Sequence, residues 1–189
     1  FSDSQVRKAF NYGFNFDTFI NEVMLGYSKK PYGPVHIGFP TADPNTPQYT
    51  YDPEKAEEHF KKAWGGELWE KGFKFTGVYP AGSTHRQRAI QILQAEVSKI
   101  NPKFHIELAS LPWASYVSGV YQEIVPLSIY GMVPIVTDPY FPLYQHMGAG
   151  GFYAGAMNRE PLSKEKYEEL LKVLGSVYDA EKRAEVSKE

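Results

Sequence analysis

Residues 72–123, GFKFTGVYPAGSTHRQRAIQILQAEVSKINPKFHIELASLPWASYVSGVYQE, and residues 124–139, IVPLSIYGMVPIVTDP, decide the fold. Phe73, Phe75 and Val78 mark a first strand, and Pro80, Ala81 and Gly82 turn the chain. Ser83 and Thr84 offer an N-cap to a helix in which Ile90, Leu93, Val97 and Ile100 recur at helical spacing. Asn101 and Pro102 end that helix. Phe104, Ile106 and Leu108 alternate as a second strand, Pro112 and Trp113 open a second helix, and Val125 to Tyr130 form a third strand. The stretch reads βαβαβ, an α/β core in which strands alternate with helices and therefore lie parallel.

In such sheets ligands sit beyond the carboxyl ends of the strands. The loops that matter are Tyr79 to Thr84, Ser110 to Trp113 and Gly131 to Asp138. None carries a phosphate-cradling pattern, since Gly82 stands without GxGxxG, GKS or GKT.

The order of strand, helix RAIQILQAEVSKI, strand ending in LPWASY, and strand leading to an Asp-Pro loop resembles the family 5 extracellular solute-binding proteins, the dipeptide and oligopeptide binders of ABC importers. VRKAFNYGFNFDTFINEVMLGYSKKPYGPV is similar to the family segment in which two short helices lead to Gly-Tyr and a Gly-Pro loop. TYDPEKAEEHFKKA resembles its YDPEKAKELL helix, and NREPLSKEKYEELLKVLGSVYDAEKRAEV its last paired helices. The resemblance implies one lobe of a two-lobed periplasmic-binding-protein-like fold, with residues 1–189 as a single lobe of the second, C-terminal type. Residues 27–51 are expected as an extended Pro/Gly-rich connection within it. It further implies a segment excised from a longer chain, with a signal peptide and first lobe outside it, and a periplasmic or extracellular location. The implied partners are an oligopeptide or oligosaccharide ligand and the permease subunits of an ABC transporter, with the membrane reached only through the permease or a lipid anchor absent from this chain. No cofactor is implied.

Composition sets wider bounds. A chain of 189 residues buries about 70% of its unfolded surface, enough for one sizeable core. The net charge of -2 and the lack of long Lys/Arg runs argue against nucleic acid as a partner. With no Cys, disulfides and thiolate metal sites are excluded. No apolar run approaches the ~20 residues that a membrane-spanning helix needs.

The first 60 residues read as scaffold. Ser2 with Gln5 suggests a capping box for a helix burying Val6, Ala9 and Phe10. Phe16, Phe19, Ile20, Val23 and Met24 form a second apolar stripe that Gly26 terminates. Pro31, Pro34, Pro40, Pro44 and Pro47 keep the next stretch extended. Asp52 then caps a helix with Pro53 at its first position and Glu54 in its first turn.

Metal and catalytic chemistry find little support. His36, His59, His85, His105 and His146 are dispersed, with no HExxH or HxxxH spacing. Glu123 with Asp138 is the one carboxylate pair near strand ends that suggests a glycosidase, and Asp-Pro is also a common turn. No GxSxG occurs.

Aromatic residues make up 15% of the chain, with 14 Tyr, 12 Phe and 3 Trp. Flat amphipathic rings suit a site that grips sugars or peptides reversibly, and they also fill cores. Phe10, Phe19, Phe60, Phe75 and Phe104 lie on apolar stripes or strands and are assigned to the core. Trp64 and Trp69, flanking Gly65 and Gly66, are expected to pack at that turn. Tyr79, Trp113 and Tyr130 stand at strand ends and, with Met132, Val133, Pro134 and Ile135, form the candidate ligand-binding set. Trp113 falls on the family's LxWxxY motif as Leu111, Trp113 and Tyr116.

The resemblance also exposes departures. Its peptide binders carry an Asp, three residues before the Asp-Pro, that pairs with the ligand's α-amino group; Asp138 and Pro139 place Ile135 there. An isoleucine leaves a buried ammonium unpaired, at a cost of several kcal/mol. Pro80 stands near where dipeptide-specific members hold the ligand carboxylate with Arg, and Arg86 substitutes only if its helix start points into the cleft. Oligosaccharide and oligopeptide therefore stand level as ligands. The competing readings are a stand-alone interaction domain using its aromatic loops, and a glycoside hydrolase.

Overall fold

The computed structural model of the protein describes residues 2–39, 41–152 and 164–188. They fall into two compact units, Phe1–Lys30 with Tyr49–Tyr130, and Pro31–Gln48 with Gly131–Glu189.

The first unit opens with α1 (Ser4–Gly13). Its cap is Asp3, whose carboxylate accepts from the Gln5 N–H at 2.7 Å. The expected Ser2–Gln5 box does not form, because the Gln5 side chain turns instead to the His59 ring at 2.6 Å. Helix α2 (Phe16–Thr18) runs into a π turn at Phe19–Val23. Gly26 stops it with φ of 77° and donates its N–H to the Ile20 carbonyl at 2.9 Å, as the stripe's end suggests. Helix α3 (Pro53–Lys62) begins as read from the sequence, with Asp52 accepting from the Lys55 N–H at 3.0 Å and Pro53 in its first turn. A 3-10 turn, Ala63–Gly66, leads to α4 (Glu67–Lys71). Of the two tryptophans at this turn, Trp69 packs edge-on against Phe104, whereas Trp64 has φ of 48° and stays half exposed. The left-handed backbone at Trp64 turns its side chain outward, so the expected packing holds for Trp69 alone.

Next come β1 (Phe73–Pro80), α5 (Thr84–Ile100), β2 (Phe104–Leu111), α6 (Trp113–Tyr121) and β3 (Leu127–Ser128). The strands form a parallel sheet in the order β2-β1-β3. Phe73 pairs with Phe104 and the register runs unbroken to Pro80 with Leu111. The third strand is shorter than Val125 to Tyr130, pairing only as Gly77 with Leu127 and Val78 with Ser128. Pro126 has no N–H to extend that ladder, and the Ile129 carbonyl is taken by the Tyr116 hydroxyl at 2.7 Å.

Apolar side chains from α1, α3, α5 and the sheet meet in one core. Its centre is a phenylalanine cluster. The Phe60 and Phe104 rings lie 4.7 Å apart, Phe73 stacks on Phe104 at 4.5 Å, and Phe10 meets Phe60 edge-on at 5.3 Å. Phe75 packs against this core and Phe19 tilts against Phe14 at 5.9 Å. Helix α5 sits so close to β1 that a Cβ at Gly77 would stand 2.7 Å from the Ile90 Cγ2. The absent side chain there sets the distance between helix and sheet.

In the second unit, the described residues of Pro31–Gln48 contain no helix or strand. They join α7 (Tyr140–Met147), α8 (Lys164–Ser176) and α9 (Ala180–Val186). Val35, Phe39, Leu171 and Leu174 are buried here. Arg183 of α9 is the polar tie. One guanidinium nitrogen donates to the carbonyls of Leu174 and Val177 at 2.7 and 2.6 Å, and the other grips both oxygens of Asp138 at 2.6 and 2.7 Å. A bidentate arginine with carbonyl partners as well orders the Asp138 turn and the end of α8 together.

A candidate ligand shelf at the carboxyl ends of the strands

Parallel strands bring the loops after β1 and β2 to one end of the sheet, where the Ala81 N–H donates to the Leu111 carbonyl at 2.8 Å. The helices that follow start there. Trp113 is the first residue of α6, after Pro112, and its ring is 54% exposed. Tyr116 lies three residues on, hence on the same helical face, and is fully buried. Its hydroxyl, bonded to the Ile129 carbonyl, fastens α6 to the chain leaving β3, and burial pushes the phenol pKa above its ordinary value. Tyr130 thereby arrives beside α6. Its ring stacks on Tyr116 at 5.9 Å and 5° and on Trp113 at 6.0 Å and 29°.

Arg86, in the first turn of α5, completes the group. Its guanidinium stands 5.6 Å from the Trp113 ring centre and 6.0 Å from that of Tyr130. Contact with two ring faces holds the cation in place. Among the described residues no carboxylate pairs with Arg86 and no acceptor takes its N–H groups. At the N-cap of the same helix, the Ser83 hydroxyl makes no capping bond and is buried without a hydrogen-bond partner among the described residues. Among the described residues the result is a half-exposed aromatic shelf with a cation lying over it, formed by side chains of the first unit.

The candidate residues named from the sequence separate. Trp113 and Tyr130 come together on the shelf, while Tyr79 packs against the hydrophobic core. Met132, Val133, Pro134 and Ile135 belong to the second unit, where Val133 and Ile135 are 83% and 80% exposed. Arg86 and Tyr116 complete the shelf without being in the candidate set. The LxWxxY spacing points to Tyr116, but nothing in the spacing of Arg86 ties it to residues 27 and 44 positions downstream.

Of the carboxylates weighed for glycosidic chemistry, Asp138 is committed to Arg183 and to the Tyr140 N–H at 2.8 Å. These bonds give it a role in the turn. Among the described residues no three His, Asp or Glu side chains gather as a metal site, and no helix is long and apolar enough to cross a membrane. The second unit holds an apolar cavity of about 230 Å³, lined by Val35, Leu143, Met147, Leu171, Leu174 and Val186 among others.

The sequence model described as bacterial extracellular solute-binding proteins, family 5 middle, matches residues 1–154. Heme-binding protein A of Haemophilus influenzae is 23% identical over all 189 residues, which correspond to 34% of its own length. The chain thus spans about a third of that curated relative. Among solved structures, the periplasmic binding protein DppA of Helicobacter pylori in complex with the peptide STSA superposes with a TM-score of 0.81. It is 22% identical over 97% of this chain and 34% of its own. A mannohexaose-bound oligopeptide-binding protein of Thermotoga maritima gives a TM-score of 0.72 at 20% identity, over 97% of this chain and 37% of its own. At these identities the likeness establishes the α/β binding-protein fold.

Proposed function

Because the chain belongs to the bacterial extracellular solute-binding proteins of family 5, we propose that it forms one wall of the substrate-binding component of an ABC importer. Residues 1–189 act as a single lobe, outside the cytoplasm, that meets a second wall across a ligand cleft. A ligand enters, the walls close and exclude water, and the closed form docks on membrane permease subunits. Closure follows from the ligand's greater affinity for the closed state.

The observation that carries this reading is the Trp113–Tyr130 shelf at the carboxyl ends of β1 and β2, where open parallel sheets take their ligands. Ring faces on a half-exposed platform suit the flat face of a sugar or the backbone and side chains of a peptide. The two cargo classes are supported by the peptide seen in the Helicobacter protein and the mannohexaose in the Thermotoga one. Met132, Val133, Pro134 and Ile135 of the second unit are kept as proposed ligand contacts in their own right, and Ile135 in place of an acidic residue removes an anchor for a peptide's amino terminus.

Thermal-shift screening against peptides and manno-, cello- and xylo-oligosaccharides tests the proposal, with the same screen on Trp113→Ala. Stabilisation by one class, lost in the variant, is the expected result. Turnover of those compounds, abolished by Glu123→Gln, would replace the receptor reading with an enzymatic one.

A further inference from the structure

We infer that the second unit carries a small-molecule site of its own, a cavity that takes a neutral, mostly apolar compound bearing one hydroxyl group. The inference goes beyond the receptor reading and does not rest on it. Part of the cavity wall comes from residues 31–48. Turns close this segment on itself: the Phe39 N–H donates to the His36 carbonyl at 3.1 Å, that of Ala42 to Phe39 at 3.0 Å, and that of Thr46 to Asp43 at 3.1 Å. The Gln48 amide ties its two ends, donating to the carbonyls of Tyr32 and Thr46. With these backbone groups paired internally, the loop keeps its shape without a strand or helix of its own. Leu171 and Leu174, one turn apart on the same face of α8, line the cavity with Met147 from α7 and Val186 from α9.

Volume and polarity define the ligand. The cavity of about 230 Å³ is roughly one and a half times the apolar cavity of about 150 Å³ that takes up benzene, which scales to a ligand of about nine non-hydrogen atoms. Among the described residues that line it, the charged ones are Asp43 and Lys188, and they pair with each other at 3.3 Å. A neutral ligand suits that lining, since an unpaired charge is costly to bring into an apolar cavity. The Ser187 hydroxyl is already committed to the Ala184 carbonyl at 3.0 Å. Thr41 differs: it lines the same cavity, and its hydroxyl is buried with no hydrogen-bond partner among the described residues. A ligand hydroxyl beside it can donate or accept, which a hydrocarbon cannot do. That single polar contact, set in a hydrocarbon wall, fixes the ligand's orientation.

Calorimetric titration of the whole protein with 4-ethylphenol and 4-ethyltoluene, which differ by a hydroxyl in place of a methyl group, tests the inference. The phenol is expected to bind. Thr41→Val keeps the outline of the side chain and should lower the phenol's affinity relative to 4-ethyltoluene roughly three- to tenfold, the range of one hydrogen bond. Ala42→Leu extends a larger side chain from the lining and should abolish binding of both compounds. Binding should persist in Trp113→Ala, which separates this cavity from the shelf and from the receptor reading. Should Ala42→Leu fail to fold, Thr41→Val carries the test alone, because the two compounds are compared within one protein. The inference is overturned by wild type that does not bind 4-ethylphenol, by a preference unchanged in Thr41→Val, by full binding in folded Ala42→Leu, or by loss of binding in Trp113→Ala.

Discussion

The first unit contains two aromatic clusters with similar ring spacing and opposite roles. In the phenylalanine cluster, Phe10, Phe60, Phe73 and Phe104 meet at centroid distances of 4.5–6.1 Å. On the shelf, Trp113, Tyr116 and Tyr130 meet at 5.9–6.0 Å. The first cluster is hydrocarbon throughout and Phe60 and Phe104 are sealed from water; the second carries hydroxyls, borders a cation and leaves Trp113 half exposed. Aromatic content therefore does not mark a binding site. The proposed site differs in having polar handles held at fixed places beside a half-exposed ring.

That contrast is open to mutation. Phe60→Ala removes a fully buried ring from the core and should cost about 3–5 kcal/mol of stability in denaturant unfolding. Trp113→Ala should cost under about 1 kcal/mol in the same measurement, as a half-exposed side chain does, yet weaken ligand binding about three- to tenfold by titration. A large stability loss at Trp113 would erase the distinction between the clusters. Tyr116→Phe leaves the ring stack in place and deletes the bond to the Ile129 carbonyl. Its expected cost is about 1 kcal/mol, with a weakened ligand response because Tyr130 loses its anchor.

The smallest effect concerns a tyrosine away from both clusters. Tyr51 donates to Glu96 at 2.6 Å, and burial together with that anion pushes its pKa up to about 12. A raised pKa favours the neutral phenol in the folded state, so its stabilisation is fully present below the ordinary tyrosine value near pH 10. It is lost as pH rises through about 12. The stability difference between wild type and Tyr51→Phe should stay constant to about pH 10 and shrink above it. A difference that holds to pH 12 would show that the phenol stays protonated for another reason.

Much of this architecture was legible in residues 72–139. Strand alternation at Phe73 and Phe75, helical spacing at Ile90, Leu93 and Val97, and the Asn101–Pro102 stop lie where the elements form. Caps were less secure. Asp52 serves as expected, whereas Asp3 displaces Ser2 because it accepts two backbone N–H groups, those of Gln5 and the distant Trp64. A partner 61 residues away in the chain leaves no mark on local spacing. The NREPLSKEKY end of the family resemblance lies partly outside the described residues, which resume at Lys164.

The sequence by itself determined the parallel α/β core, because side-chain periodicity and turn residues act within a few positions of one another. It also placed Trp113 at a helix start beyond a strand. Only the tertiary structure decided that Tyr79 would join the core while Tyr130 joined Trp113, and that Arg86 would lie over both rings. Those contacts join α5, α6 and the end of β3. The sheet's register brings the three together, and no local pattern encodes which open face remains.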